Sequence, residues 1–137
     1  MSLETMTKIK ALVAAALAAL LPGCSPFSAV NLLVPRSGYT VHRNFSFGTD
    51  PRQRLDIYVP QGLKAPAPVL LFLYGGSWQA GNRGDYLAFG QAFASAGIVT
   101  VVADYRLYPH VKYPAFVEDA AGALAWLHAH AGEYGGD

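Results

Sequence analysis

The pattern of apolar and polar positions changes its period along the chain. Residues 39–45 and 55–59 alternate between apolar and polar side chains, which predicts two strands. The turn-forming residues 48–51 between them predict an antiparallel hairpin. Residues 69–74 and 98–103 are continuously apolar, which is typical of strands buried on both faces, as in a parallel sheet.

Helical spacing separates and follows these two inner strands. Residues 85–96 carry it, and Gly97 ends the segment. A second helical pattern begins at Pro114, and its predicted apolar face consists of Val117, Ala120, Ala121, Leu124 and Leu127. The order of hairpin, strand, helix, strand and helix predicts the opening part of an α/β three-layer sandwich.

Composition fits one modest globular domain. The 137 residues are 53% hydrophobic and 14% charged, and the formal net charge is +1, which gives no basic surface for nucleic acid. The single cysteine, Cys24, excludes an internal disulfide and a cysteine-based metal cluster. We expect neither a cofactor nor a metal, and the sequence predicts no oligomeric state.

The N-terminal residues 1–24 have the pattern of a bacterial signal peptide. Lysines 8 and 10 precede the apolar stretch 11–21, which is too short to span a membrane, since a spanning helix needs about 20 residues. Leu21-Pro22-Gly23-Cys24 resembles a lipobox, which implies that Cys24 is lipidated and becomes the mature N-terminus. We therefore expect a cell-envelope lipoprotein on the periplasmic side that meets the membrane only through its lipid. Ordinary signal cleavage and secretion is the alternative.

After the signal, the sequence predicts a tether and one domain. Residues 25–37 have mixed polarity and no clear period, so they are interpreted as a tether, and residues 38–137 form the predicted domain.

The candidate chemistry lies where the first inner strand ends. Residues 69–74 run directly into Gly75-Gly76-Ser77-Trp78, so bare backbone N–H groups are expected at the end of the sheet. Acyl-transfer enzymes use such groups to hold a developing oxyanion. The alternative is that the two glycines only permit a tight turn packed by Trp78.

Further motifs follow in a fixed order: Gly81 with Arg83, then Asp104-Tyr105-Arg106-Leu107, Tyr113-Pro114, Glu118-Asp119 and Ala125-Trp126-Leu127. With Tyr74-Gly75-Gly76-Ser77-Trp78 they make residues 54–137 resemble the first third of an α/β-hydrolase of the carboxylesterase and hormone-sensitive-lipase-like (BD-FAE-like) type. The resemblance implies a serine hydrolase acting on a small-molecule carboxylic ester. It implies that the amides of Gly75 and Gly76, with Ser77 as a third, form the oxyanion hole. In that family a histidine usually stands in the place of Tyr74, and often a third glycine in the place of Ser77.

The remaining catalytic groups of such an enzyme are not found in the sequence. The nucleophile of this fold lies in a G-x-S-x-G turn, followed by the acid and then the histidine, and no such pentapeptide occurs here. The catalytic histidine of this fold follows the turn in the chain, whereas all four histidines here, at positions 42, 110, 128 and 130, lie before any place where the turn could occur. A pairing of Ser77 with His110 and Asp104 is the weaker alternative, and we expect Asp104 and Arg106 to form a structural pair beneath the glycine turn.

We therefore expect the N-terminal part of a hydrolase domain, truncated before the nucleophile and inactive by itself. One inner strand should present an unpaired apolar edge. A competing function is a non-catalytic lipoprotein that uses the hydrolase scaffold for binding. Within the hydrolase class, an arylformamidase-like amide hydrolase is also open.

Overall fold

A four-stranded sheet forms the centre of the described part of the chain. The computed structural model describes residues 26–64 and 66–137, so the predicted signal segment and Cys24 lie outside it. The strands are β1 (Tyr39–Ser46), β2 (Arg54–Pro60), β3 (Val69–Leu73) and β4 (Val99–Ala103), in the order β1-β2-β4-β3. β2 pairs antiparallel with both β1 and β4, whereas β3 and β4 are parallel. The predicted hairpin and the parallel inner pair are confirmed.

The two continuously apolar strands differ in burial. All five residues of β4 are buried, as the sequence predicts, because β4 lies between β2 and β3. Every residue of β3 is only half-buried, so the prediction of burial on both faces is wrong for this strand. The reason is its position, since among the described residues β3 pairs along its length only with β4 and forms the apolar edge that the sequence predicts.

Three α-helices and two 3-10 turns lie in the described ranges. They are α1 (Pro26–Leu32), a 3-10 turn (Arg83–Tyr86), α2 (Leu87–Ser95), α3 (Ala115–His130) and a second 3-10 turn (Ala131–Tyr134). The pattern of residues 25–37 predicts no helix, because the seven residues of α1 are too few to show a period. Of the helices in the described ranges, none combines the length and the hydropathy needed to cross a bilayer.

Helices cover both faces of the sheet. Along β2 and β4 the side chains alternate between the faces. Tyr58 and Val102 pack with residues of α2, whereas Ile57 and Val101 pack with residues of α3. The molecule therefore has three layers, with α2 on one side of the sheet and α3 on the other, as the sequence predicts.

The buried face of α3 agrees with the predicted one only at Leu127. Its buried residues are Phe116, Asp119, Ala123 and Leu127, whereas Val117 and Leu124 are 48% and 58% exposed. The prediction is wrong by about one position, because small apolar residues occur all around this helix and leave its pattern without a clear face. Asp119, which the pattern assigns to the outside, is buried in an ion pair.

Candidate functional site

The turn that follows β3 has an unusual backbone. Gly76 has a φ of 134°, and Ser77 and Trp78 both lie in the left-handed region, at 53° and 61°. The carbonyl of Gly76 accepts hydrogen bonds from the amides of Gln79 and Ala80 at 2.9 and 3.2 Å. A Cβ on Gly76 would lie 2.2 Å from the Ala80 carbonyl oxygen, so this turn requires glycine at position 76.

The amides at the tip of this turn are available as donors. None of the residues in the described ranges accepts a hydrogen bond from the backbone N–H of Gly75, Gly76 or Ser77. All three residues line a cavity of about 250 Å³, together with Leu73, Tyr74, Trp78 and Tyr105. Adjacent unpaired N–H groups in a concave site can hold an anion or polarise a carbonyl oxygen.

Gly75 has no steric reason to be glycine. Its φ is not positive, and a Cβ there would meet no heavy atom within 4 Å. A tight turn therefore explains Gly76 but leaves Gly75 unexplained. Close approach of a ligand to the backbone is one physical reason for glycine at such a position.

Tyr74 is held by three hydrogen bonds. It stands where a histidine is usual in the family that this sequence resembles. Its hydroxyl donates to Asp104 Oδ1 at 2.5 Å and accepts from Arg52 Nη2 at 2.8 Å, and its backbone carbonyl accepts from the Tyr105 hydroxyl at 2.6 Å. Burial raises the pKa of Tyr74, and the bond to Asp104 raises this pKa further, so the hydroxyl keeps its proton. The residue before the glycine turn is thus fixed at both its side chain and its backbone.

Asp104 belongs to a buried charge network beneath the turn. It pairs with Arg83 through the guanidinium and accepts from the Arg83 backbone N–H at 2.8 Å. Arg83 Nε also donates to Asp56 Oδ1 at 2.9 Å, and Asp56 accepts from Arg43 at 3.0 Å. Burial lowers the pKa of Arg83, but Asp56 and Asp104 outweigh this effect and leave the pKa above its ordinary value. Arg83 therefore stays charged and connects the first 3-10 turn to β2 through Asp56 and to the residue that follows β4, Asp104.

The predicted pair of Asp104 and Arg106 is wrong. Arg106 instead pairs with Asp119 of α3, with 2.7 Å between Nη2 and Oδ1, and its backbone N–H donates to Asp119 Oδ2 at 2.8 Å. Gln53 Nε2 donates to Asp119 Oδ1 at 2.8 Å. Asp104 and Arg106 have different partners because different elements pack against them: the 3-10 turn brings Arg83 to Asp104, and α3 brings Asp119 to Arg106. The sequence signal for Asp119 was its spacing with Phe116, Ala123 and Leu127.

Trp78 forms the wall of the cavity. Its ring stacks on Phe116 with 4.8 Å between centroids and contacts the edge of Tyr105 at 5.1 Å. Its carbonyl accepts from the Tyr108 amide at 2.8 Å. These contacts offset the cost of the left-handed backbone at residue 78, which is of order 1–2 kcal/mol.

The histidines lie outside this cavity. His128 is exposed on α3, and His130 stacks on Trp126 at 4.2 Å, so the two face different surroundings, as their spacing predicts. In the described part of the chain there is no group of three potential metal ligands. The alternative of a Ser77, His110 and Asp104 triad gains no support, because Tyr74 and Arg83 already occupy the Asp104 carboxylate.

A second cavity, of about 510 Å³, lies between β3 and α3. It is lined mainly by Val69, Leu71, Leu124, Leu127 and His128. It holds none of the unpaired amides of the glycine turn, so the smaller cavity is the candidate site.

Comparison with known proteins assigns most of the chain to one family. The BD-FAE family model matches residues 55–137. The chain is 35% identical over 97 residues to a protein of Arabidopsis thaliana named "Probable isoprenylcysteine alpha-carbonyl methylesterase", covering 71% of this chain and 20% of that protein. It is 37% identical over 101 residues to the esterase LipC of Mycobacterium tuberculosis, covering 72% and 25%. The chain thus spans about a fifth to a quarter of the length of these relatives.

Solved structures show the same architecture. Esterase B of Lactobacillus rhamnosis superposes with a TM-score of 0.72 at 23% identity, covering 96% of this chain and 41% of that one, which shows the fold alone. A bacterial heroin esterase superposes with a TM-score of 0.65 at 28% identity, covering 93% and 38%. The strands and helices described above are therefore those of an α/β-hydrolase esterase.

Proposed function

The chain belongs to the BD-FAE family of α/β-hydrolase esterases, and from that premise we propose that its glycine turn is the oxyanion hole of a carboxylic ester hydrolase. The backbone N–H groups of Gly75 and Gly76, with Ser77 as the third, would hold the negative oxygen of a tetrahedral intermediate. One observation carries the proposal: these three amides lack acceptors among the described residues and line one cavity. One such donor is typically worth about 2.7–4 kcal/mol of transition-state stabilisation.

In the proposed reaction, a serine outside these 137 residues attacks the ester carbonyl and forms an acyl-enzyme, and the alcohol leaves. The sequence contains no G-x-S-x-G turn, so we propose that this chain supplies one wall of the active site and not the nucleophile. Phenol and indole rings from Tyr105 and Trp78 would form an apolar wall beside the acyl group.

The direct test is an NMR titration of the ¹⁵N-labelled chain with butyrate, whose carboxylate imitates the oxyanion. We expect the amide signals of Gly75, Gly76 and Ser77 to shift with a common affinity. Gly76→Ala should abolish the response, because its Cβ would lie 2.2 Å from the Ala80 carbonyl. Gly132→Ala is the matched control, since a Cβ there meets nothing within 4 Å. Unshifted amides in the wild-type chain would refute the role of the turn.

A second assay tests the proposed absence of the nucleophile. The chain should not hydrolyse a short-chain nitrophenyl ester faster than its Gly76→Pro variant does. Clear turnover by the wild-type chain would show that a nucleophile lies within these residues, and Ser77 would then be the first serine to replace.

For the N-terminal residues we propose export and lipidation at Cys24, supported by the lipobox-like sequence Leu21-Pro22-Gly23-Cys24. Expression in a bacterium with radiolabelled palmitate should label the chain, and Cys24→Ala should not be labelled. An unlabelled wild-type chain found in the medium would favour simple secretion.

A further inference from the structure

Helix α1 and the residue that follows it expose aliphatic side chains to the solvent, while a polar side chain of α1 contacts the protein. Its polar residue Asn31 faces the protein: Asn31 Nδ2 donates to the Gly84 carbonyl at 2.9 Å, and Asn31 Oδ1 accepts from the Ala88 amide at 3.4 Å. Val30, Leu32 and Leu33 face outward and are 52%, 83% and 86% exposed. A helix that faces water on its outer side normally has the opposite arrangement.

The surface formed by Val30, Leu32 and Leu33 is also free of charge. No charged residue occurs between residues 25 and 35, and the first one is the exposed Arg36. Exposed aliphatic side chains that are close together in an uncharged segment favour contact with another molecule or with lipid. A cation at its border can contact anionic lipid headgroups.

Chain connectivity identifies what this surface contacts. The apolar stretch 11–21 ends five residues before the start of α1 at Pro26, and the proposed lipid attachment at Cys24 lies two residues before it. Two residues of chain reach about 7 Å at most, and a seven-residue helix is about 10 Å long. A chain anchored in a bilayer at Cys24 therefore holds the exposed side chains within about 20 Å of the anchoring point, close to the lipid interface.

We infer that Val30, Leu32 and Leu33 lie against the surface of a lipid bilayer. A protein partner fits less well, because a stable protein interface buries about 800 Å² on each partner from some 20–30 residues. Partial insertion of three aliphatic side chains needs no such area. The inference depends on the proposed N-terminal anchoring and does not depend on ester hydrolysis.

The contact would also place the glycine turn near the bilayer. Phe27 of α1 packs on Tyr86 with 5.4 Å between ring centroids, and Tyr86 stacks on Tyr74 at 5.3 Å. Tyr74 directly precedes the turn. The bilayer surface would therefore lie on the same side of the sheet as α2, and two ring contacts connect α1 to the start of the candidate site.

The experiment places a polarity-sensitive dye on this surface in the full chain. Lipidation blocks the thiol of Cys24, the single cysteine of the sequence, so in the lipidated chain Leu33→Cys supplies the free thiol. This variant is labelled with a nitrobenzoxadiazole dye and mixed with vesicles of phosphatidylethanolamine and phosphatidylglycerol. Leu124→Cys, an exposed leucine on the opposite layer, is the matched control. We expect the emission of the dye at position 33 to move to shorter wavelength and to be quenched by a nitroxide carried on the lipid tails. The dye at position 124 should not respond.

Each other outcome overturns the inference. Vesicle binding with a silent dye at position 33 would leave the anchor intact and remove the contact. Equal responses at both positions would show non-specific adsorption, and no vesicle binding at all would remove both anchor and contact. A wavelength shift that appears without vesicles and grows with protein concentration would identify a second copy of the chain as the partner. Leu32→Cys repeats the test at the neighbouring position.

Discussion

Replacement of Tyr74 by phenylalanine tests how the glycine turn is held. The change removes one hydroxyl that donates to the Asp104 carboxylate at 2.5 Å and accepts from the Arg52 guanidinium at 2.8 Å. Tyr74 is 2% exposed, so water cannot replace these bonds without entering the core. A hydrogen bond to a charged group contributes about 1.5–3 kcal/mol.

The expected loss is close to one such bond rather than two. Asp104 keeps its bonds from Arg83, and Arg52 keeps the carbonyls of Tyr105 and Gly81 as acceptors. We therefore expect Tyr74→Phe to lower the free energy of unfolding by about 1.5–3 kcal/mol.

Urea unfolding followed by circular dichroism measures this loss as a shift in midpoint at constant slope. Tyr113→Phe is the matched control, because Tyr113 is 78% exposed and its change should stay within about 0.5 kcal/mol. If the two variants unfold at the same midpoint, the hydroxyl of Tyr74 does not hold the turn, and the argument from these bonds fails.

Three further predictions concern the helices. Gly90→Ala should lower the free energy of unfolding by about 1–3 kcal/mol, because its Cβ would lie 2.6 Å from the buried Tyr58 ring. Gly122→Ala, the control, should be neutral or stabilise by up to about 1 kcal/mol. Equal shifts of the melting temperature in the two variants would contradict this. Asp119→Ala should cost about 3–5 kcal/mol in urea unfolding, since it leaves Arg106 unpaired in a partly buried site, and a loss below about 1 kcal/mol would contradict the ion pair. Burial raises the pKa of Asp119, but hydrogen bonds from Arg106 and Gln53 outweigh this and lower it, so the stabilisation should be complete above the ordinary carboxyl pKa and lost as pH falls below it. The difference in urea midpoint between wild type and Asp119→Asn should therefore shrink from about pH 6 to pH 3, and a constant difference would count against a paired carboxylate.

Hydrophobic periodicity predicted the elements but not their surroundings. The apolar run of β4 is buried on both sides, and the similar run of β3 is only half-buried, because position in the sheet is not encoded in the run itself. For α3 the pattern selected the wrong face, because alanine is compatible with a buried or an exposed position.

Partnerships between charged residues were the least predictable part of the site. Asp104 and Arg106 are two residues apart and looked like a pair, but Arg83 and Asp119 approach them from other elements. A residue such as Asp119 becomes a buried carboxylate only when Arg106 and Gln53 are brought to it, and their sequence separations of 13 and 66 residues hide this.

The order of β1 to β4, α2 and α3 along the chain, the family and the candidate donors at Gly75, Gly76 and Ser77 all follow from the sequence alone. Each of these depends on local features: periodicity, turn-forming residues and short motifs. The sequence does not show that the Tyr74 hydroxyl is held by Asp104 and Arg52, nor that Val30, Leu32 and Leu33 are exposed; both emerge only in the folded chain. Both depend on which surfaces meet when the chain folds, and contacts between distant segments leave no local pattern in the sequence.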